Sequence, residues 1–272
     1  MIPATFGYTK ASSVEEAIAA LADGDAKILA GGHSLLPAMK LRLNMAGKLV
    51  DISKLEALKG VRLENNEIVI GSATTHATIS NNQLIKEHLS FFAEGAQHIG
   101  DVQVRNHGTI GGSLAHADPG ADWPALVLAA DATIEVQGAS GKRKIPAADF
   151  FQGLFATALA EDEIITAIRV PVPAAGSKSA YLKFVQPASR FAIVGCAVMK
   201  PASGGIRIAF TGVSDTPFRD AAAETAYNKV GIDDACNAAV GHVTIMGDHY
   251  ASEHYRKHLA KVYLKKALEA VG

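Results

Sequence analysis

The segments of this 272-residue chain best suited to chemistry are two glycine-rich runs, Ala30-Gly31-Gly32-His33-Ser34-Leu35-Leu36-Pro37 and Thr109-Ile110-Gly111-Gly112-Ser113-Leu114-Ala115-His116-Ala117-Asp118-Pro119. Glycine admits positive φ and carries no Cβ, so consecutive backbone N–H groups can converge on an anion or lie against a flat ring. A pyrophosphate or a planar cofactor suits such runs, although a Gly-Gly pair also serves simply to turn a chain. Neither run is G-x-G-x-x-G, and no G-x-x-x-x-G-K-[ST] occurs, Gly141-Lys142 matching only its final glycine and lysine. His254 and His258 lie four apart on one face of an expected helix, but Tyr255 stands where a zinc-protease pattern requires glutamate. They read as surface residues beside Arg256 and Lys257. His116, Asp118 and Asp122 fit metal ligation, an acid–base pair or water-mediated contact with a ribose or phosphate equally well. Ser34 and Ser113 lack a G-x-S-x-G elbow, and no nucleophile, base and orienter align from spacing. The residues by themselves describe two anion- or cofactor-binding loops without a catalytic set.

The elements that must hold these loops are legible in outline. Ser13-Val14-Glu15-Glu16 has capping-box spacing, and the alanine-rich run after it stops at Gly24, which predicts a helix over about Val14 to Asp23. Lys27 to Ala30 reads as a short buried strand running straight into the first glycine pair, and Lys48 to Ile52 as a second strand. Gly60 to Gly71 alternates around Asn65-Asn66, the pattern of a hairpin. Ile79 to Gln97 reads as helix, Ala125 to Ala132 as a buried helix or turn-rich segment, and Thr133 to Gln137 as a strand before the Gly138 to Gly141 turn. Ile164 to Val172 is β-branched and leads into Pro171-Val172-Pro173-Ala174-Ala175-Gly176-Ser177, the expected boundary between two domains. Strands over Ala180 to Val185, Phe191 to Met199 and Ile206 to Thr211 then precede a helix from about Ser252 to Ala270, an α+β order.

Composition narrows the function classes. Hydrophobic residues make up 49% and charged residues 19% of the chain, a balance that excludes a disordered tail. Twenty-six basic against 27 acidic residues give a net charge of -1, so no cationic field is available for nucleic acid. Two cysteines, Cys196 and Cys236, supply neither a disulfide framework nor the four thiolates of an iron–sulfur cluster or zinc site, and both read as core residues. The N-terminus lacks the pattern of a signal peptide, and the longest apolar stretches, such as Phe191 to Met199, fall short of the roughly 18 residues of a membrane helix. A cytoplasmic location is expected, any membrane association arriving through partners.

The two loops, in this order and about eighty residues apart, resemble the paired flavin-binding segments of the FAD-binding medium subunit of molybdenum hydroxylases, the family of carbon monoxide dehydrogenase and xanthine dehydrogenase. The resemblance spans essentially the whole sequence through Ala30 to Pro37, Gln103 to Gly112, Ala115 to Pro119, Phe150-Phe151 with Gly153, Glu163 to Ile168 and His254 to Leu259. It implies a vanillyl-alcohol-oxidase-type (PCMH-type) FAD-binding domain at 1–175, with subdomains of about 1–57 and 58–175, followed by a small C-terminal α/β domain at 176–272. The FAD contacts it implies are Ala30, Gly31, Gly32, His33, Ser34 and Leu35 in the first loop and Thr109, Ile110, Gly111, Gly112 and Ser113 in the second, wrapping the pyrophosphate and pressing on the isoalloxazine. Ala117 joins this set, with Asp118 and Asp122 near the adenosine or ribityl side and Lys183 near the ring. Two departures are Ser113, where asparagine is common, and Trp123, where an aliphatic residue is usual.

The resemblance also implies a division of labour. A large subunit would carry a molybdenum cofactor and oxidise substrate, a small subunit two iron–sulfur clusters, and FAD in this chain would pass electrons to an external acceptor such as quinone, NAD or oxygen. The assembly implied is a dimer of heterotrimers, with no catalytic residue, no metal ligand and no transmembrane segment in this chain. Substrate would be chosen on the large subunit. The alternatives are a stand-alone FAD-dependent small-molecule oxidase, for which little chain remains to build a substrate pocket, and a non-catalytic nucleotide-binding scaffold subunit, which would not need intact glycine loops.

Overall fold

Strand β1 (Gly7–Lys10), helix α1 (Val14–Leu21), β2 (Ala26–Leu29), α2 (Leu35–Lys40) and β3 (Lys48–Asp51) open the chain of the computed structural model, which describes residues 1–22 and 24–272. β3 lies between β1 and β2, parallel to both. The Ser13 hydroxyl caps α1 by accepting the Glu16 N–H at 3.1 Å. The expected end of that helix at Asp23 lies outside the described residues. Strand β1 was not expected from the sequence, since its mostly exposed Gly7-Tyr8-Thr9-Lys10 carries little apolar signal.

The next unit is a five-stranded antiparallel sheet faced by short helices. β4 (Val61–Glu64) and β5 (Glu67–Gly71) form the hairpin expected around Asn65-Asn66, and both asparagines take the positive φ, 48° and 63°, that such a tight turn demands. The run from Ile79 to Gln97 is not one helix but parts of three, α3 (His76–Asn81), α4 (Gln83–His88) and α5 (Ser90–His98). Asn82 is the cause: its backbone is extended, and its side chain accepts the Ile85 N–H at 3.3 Å, starting a new helix by capping. Then come α6 (Val102–His107), α7 (Ile110–His116), the wholly buried α8 (Asp122–Ala129), β6 (Thr133–Gly138), β7 (Gly141–Pro146), α9 (Ala147–Phe150), the small β8–β9 pair (Phe151–Gly153 and Ala156–Thr157) and β10 (Ile164–Pro171). The sheet order is β4-β5-β10-β6-β7.

The last unit is the antiparallel sheet β11 (Lys178–Val185), β12 (Ala192–Lys200), β13 (Arg207–Thr211) and β14 (Phe218–Arg219), with α10 (Ala221–Lys229), α11 (Ile232–Ala238) and α12 (Glu253–Ala270). β12 is buried on both faces. Val194, Cys196 and Val198 pack with α12 residues such as Leu264 and Leu268, whereas Ala197 and Met199 join the core around Trp123 and Phe92. Alternation along one strand therefore joins two cores.

Polar bonds fasten that seam. The Thr211 hydroxyl lies 2.6 Å from the Pro119 carbonyl oxygen and 2.7 Å from that of Ala121, and the Ala192 N–H donates to Gly120 at 2.9 Å. Asp122, at the first turn of α8, accepts from the Tyr181 hydroxyl at 2.6 Å and from Lys183 Nζ at 2.8 and 2.9 Å, while the same ammonium reaches the His98 carbonyl at 3.1 Å. Burial pushes the Asp122 carboxyl up, against the opposing pull of the Lys183 ammonium and the Tyr181 hydroxyl. Removing one partner of such a pair strands the other charge away from water. Lys183→Met should therefore cost on the order of 3 kcal/mol in urea unfolding. Adding Asp122→Asn, which removes the second charge and leaves Tyr181 an acceptor, should recover most of that loss; equal destabilisation in the single and double variants would contradict this account of the seam.

Candidate functional site

A cavity of about 500 Å³ opens where the first loop, the second loop and the C-terminal sheet meet, a volume in the range of small-molecule sites. Ala30, Gly31, Gly32, His33, Ser34 and Leu35 line it from one side. Gly32 has φ of 71°, and this bend lets β2 turn into α2 with the intervening N–H groups unpaired. Among the described residues the N–H groups of Gly31 to Leu35 have no hydrogen-bond acceptor, the first helical bond of this stretch being Leu36 to the Gly32 carbonyl at 3.1 Å. Five consecutive donors along a cavity wall suit an anion.

The second run differs from its sequence reading. Gly111 and Gly112 lie within the first turn of α7, and their amides are engaged: Ile110 donates to Thr74 at 3.2 Å, Gly111 to Ser72 at 2.9 Å, Gly112 to the Thr109 hydroxyl at 3.2 Å and Ser113 to the Thr109 carbonyl at 3.0 Å. This run supplies closeness rather than free amides. A Cβ on Gly111 would lie 2.6 Å from the Ser72 Cβ, one on Gly112 2.9 Å from the Thr109 hydroxyl oxygen, and one on Gly31 2.2 Å from the His107 carbonyl oxygen. Thr109, Gly111, Gly112, Ser113, Asp118 and Asp122 line the cavity. Ile110 and Ala117 are fully buried in the core beneath it, Ala117 in the left-handed conformation that ends α7. Lys183 is not part of the lining; its ammonium is committed to Asp122.

Several lining residues carried no sequence signal of their own. Ser189, Arg190 and Phe191, in the β11–β12 connection, close the C-terminal side, and Arg190 Nη1 donates to the Gly100 carbonyl at 3.3 Å. Ser72 lies in the connection from β5 to α3 and His76 is the first residue of α3, a stretch that runs alongside 108–111. The Ser72 hydroxyl is buried without a partner. His76 is 4% exposed, and its Nδ1 accepts the indole N–H of the fully buried Trp123 at 3.0 Å.

Burial pushes the His76 imidazole down to about 3, with the charges of His33 and Arg105 acting in the same direction. The unfolded ring protonates below about 6.5 and the folded ring only near 3, so His76 adds full stability above 6.5 and loses it as pH falls toward 3. At about 1.4 kcal/mol per pH unit below 6.5, this one group should remove about 2 kcal/mol by pH 5. Urea midpoints measured from pH 7 to pH 5 should show that slope in the unaltered chain and not in His76→Gln.

Residues 4–173 match the FAD binding domain in molybdopterin dehydrogenase, and residues 179–271 the CO dehydrogenase flavoprotein C-terminal domain. The chain is 40% identical to the carbon monoxide dehydrogenase medium chain of Hydrogenophaga pseudoflava, with 99% of this chain and 98% of that one covered. It is 36% identical to the glyceraldehyde dehydrogenase medium chain of Sulfolobus acidocaldarius, each covered over 100% of its length. A solved structure of the Hydrogenophaga pseudoflava carbon monoxide dehydrogenase lacking the Mo-pyranopterin moiety of its cofactor superposes with a TM-score of 0.96 at 41% identity, covering 100% of this chain and 98% of that one. The fold is accordingly the PCMH-type FAD-binding fold of two subdomains with a small C-terminal domain. A cavity walled by unpaired amides and glycine contacts, on a fold and sequence shared along the whole chain, places this chain among the FAD-binding, electron-transferring medium subunits of the carbon monoxide dehydrogenase and xanthine dehydrogenase-like molybdenum hydroxylases.

Proposed function

We propose that this chain takes electrons from iron–sulfur clusters on a small partner subunit, reduced in turn by oxidation of substrate at a molybdenum cofactor on a large subunit, and passes them through FAD to an external acceptor. The assembly proposed is a dimer of such heterotrimers. The observation that carries the reading is the row of five unpaired amides at Gly31 to Leu35, along a cavity that Gly111 and Gly112 also line. The unpartnered Ser72 hydroxyl in the same wall is a further polar group for which the chain itself provides no bond.

Bound FAD supplies the redox chemistry, accepting electrons from a donor and releasing them to an acceptor, while the protein binds, orients and tunes it. Gly31 to Leu35 would hold the pyrophosphate through backbone N–H groups, Ala30, Thr109, Gly111, Gly112 and Ser113 would press on the nucleotide with Ile110 and Ala117 supporting them from the core, and Asp118 would stand at its polar edge. Asp122 and Lys183 would act together rather than separately: Lys183 neutralises Asp122 and ties the C-terminal sheet to the cavity wall. The domain division at 1–175 and 176–272, with subdomains near 1–57 and 58–175, belongs to the same proposal.

Cys196 and Cys236 are both buried in the C-terminal core and cannot supply a cluster's four thiolates, so the one-electron donor is assigned to another chain. The names of the relatives include carbon monoxide and glyceraldehyde dehydrogenases, which is consistent with substrate being selected elsewhere than on the medium chain. No helix among the described residues is long and apolar enough to cross a membrane.

Purification of the tagged chain from its host should yield FAD, iron, molybdenum and two further chains in fixed ratio; a lone chain with FAD and no metals would instead favour an independent oxidase. Gly31→Val, which places side-chain atoms against the His107 carbonyl, should reduce FAD content at least about tenfold while the metals of the partner chains remain. Full flavin content in that variant would refute the loop assignment.

A further inference from the structure

Trp123, which the family resemblance leaves without a role, is explained by the imidazole it touches. Its indole N–H can only donate, and the one acceptor it has is His76 Nδ1 at 3.0 Å. A ring whose Nδ1 accepts must carry its proton on Nε2 when neutral. Among the described residues Nε2 has no partner within the chain, and His76 lines the cavity. The neighbour of Nε2 is Gly108, itself a cavity-lining residue, where a Cβ would come within 2.7 Å of that nitrogen and cover it. Glycine at 108 is not required by backbone strain, since φ is −58° and ψ 140°, values open to any residue. Its lack of a side chain leaves the N–H uncovered.

We infer that His76 donates an Nε2–H hydrogen bond to an uncharged oxygen of the bound flavin nucleotide, a ribityl hydroxyl or a ring carbonyl, and that Trp123 is the positioning residue that fixes the donating tautomer. The inference rests on the FAD reading above and deepens it. A neutral donor suits an uncharged oxygen: the imidazole is deeply buried beside His33 and Arg105 and does not protonate near neutral pH, so it adds no charge for a phosphate. The phosphates have the five amides of the first loop.

The test is FAD and ADP titration of the full chain in its complex, freed of flavin, with the melting temperature of each flavin-free variant as a check on folding. ADP carries the adenosine and the pyrophosphate but neither ribityl chain nor ring. His76→Phe, without a donor, should weaken FAD about tenfold, the scale of one buried hydrogen bond, and leave ADP unchanged. Trp123→Phe should weaken FAD in the same direction, and the double variant should bind no worse than His76→Phe, because a positioning residue has nothing left to position. His76→Gln, which keeps an acceptor for the indole and an N–H donor, should remain within about threefold of the unaltered chain if one hydrogen bond is the whole effect. Gly108→Ala should reproduce the loss with residue 76 intact, so the inference can be checked even if His76→Phe does not assemble. A shift in the flavin midpoint potential with His76→Phe would assign the acceptor to the ring, and an unchanged potential to the ribityl chain. Unchanged FAD affinity in His76→Phe or Gly108→Ala, equal losses for ADP and FAD, or additive losses in the double variant would overturn the inference and leave the FAD reading standing. Failure of the unaltered complex to take up FAD would overturn both.

Discussion

A Cβ on Gly31 would lie 2.2 Å from the His107 carbonyl oxygen, and one on Gly111 2.6 Å from the Ser72 side chain. Both distances are inside any tolerable carbon contact, so the first run lies against residues 107–108 and the second against Ser72 at separations that only glycine permits. The rest of the site follows from that approach. The amides of 110–113 are free to bond the neighbouring 72–74 backbone and the Thr109 cap because nothing intervenes, and α7 starts where the ladder ends. The first loop, held off its own helix by Gly32, keeps the unpaired amides. One run is thus fully bonded and rigid, and the other retains the donors.

The same stretch of chain also organises the C-terminal sheet. Once Ala117 ends α7 in the left-handed conformation, residues 119–121 present three carbonyls that Thr211, Gly212 and Ala192 occupy from β13, its flank and β12. Asp122 then begins α8 and takes Tyr181 and Lys183 from β11. A segment of fewer than fifteen residues, 109–122, therefore closes the cavity on one side and docks a domain on the other. Any displacement of the docked sheet is communicated to the cavity wall through bonds of 2.6 to 2.9 Å. An electron-transfer site benefits from such rigidity, since it needs a fixed flavin more than a moving lid.

Punctuation made much of the fold legible in the sequence. Ser13 three residues before Glu16, Asn65-Asn66 between alternating apolar residues and the Pro173 to Ser177 stretch each report a local backbone preference, and the helix cap, the hairpin and the change of sheet occur there. The continuous helix expected over Ile79 to Gln97 fails at Asn82 because a capping side chain competes with the helix, an effect that hydrophobic periodicity does not register. Strand β1 pairs with β3 across more than thirty intervening residues, so its pairing is fixed by tertiary contact and not by its own four residues. In the site, glycine pairs mark where backbones approach, and both runs were visible for that reason. Which run keeps its amides free depends on the bonds of a third segment, 72–76, whose Ser72, Thr74 and His76 look like ordinary residues at the end of a strand. The family resemblance set Lys183 near the ring, whereas the structure pairs it with Asp122, 61 positions away, and no local pattern joins the two.

The cavity is polar in two different ways, and the difference constrains what it holds. The amides of 31–35 present partial positive charge with no acceptor in the chain, which favours an anion at that wall. Ile99, Leu159, Ile164 and Ile165 add apolar side chains to the lining, beside Glu161 and Glu163, and suit a flat hydrophobic body. His76, held neutral by burial and bonded to Trp123, adds an uncharged polar group to the lining. An inorganic anion would use only the first of these surfaces, and an apolar substrate only the second. A dinucleotide of pyrophosphate, polyol chain and ring uses all of them at once, so the combination of these surfaces in one cavity is itself an argument for the flavin nucleotide.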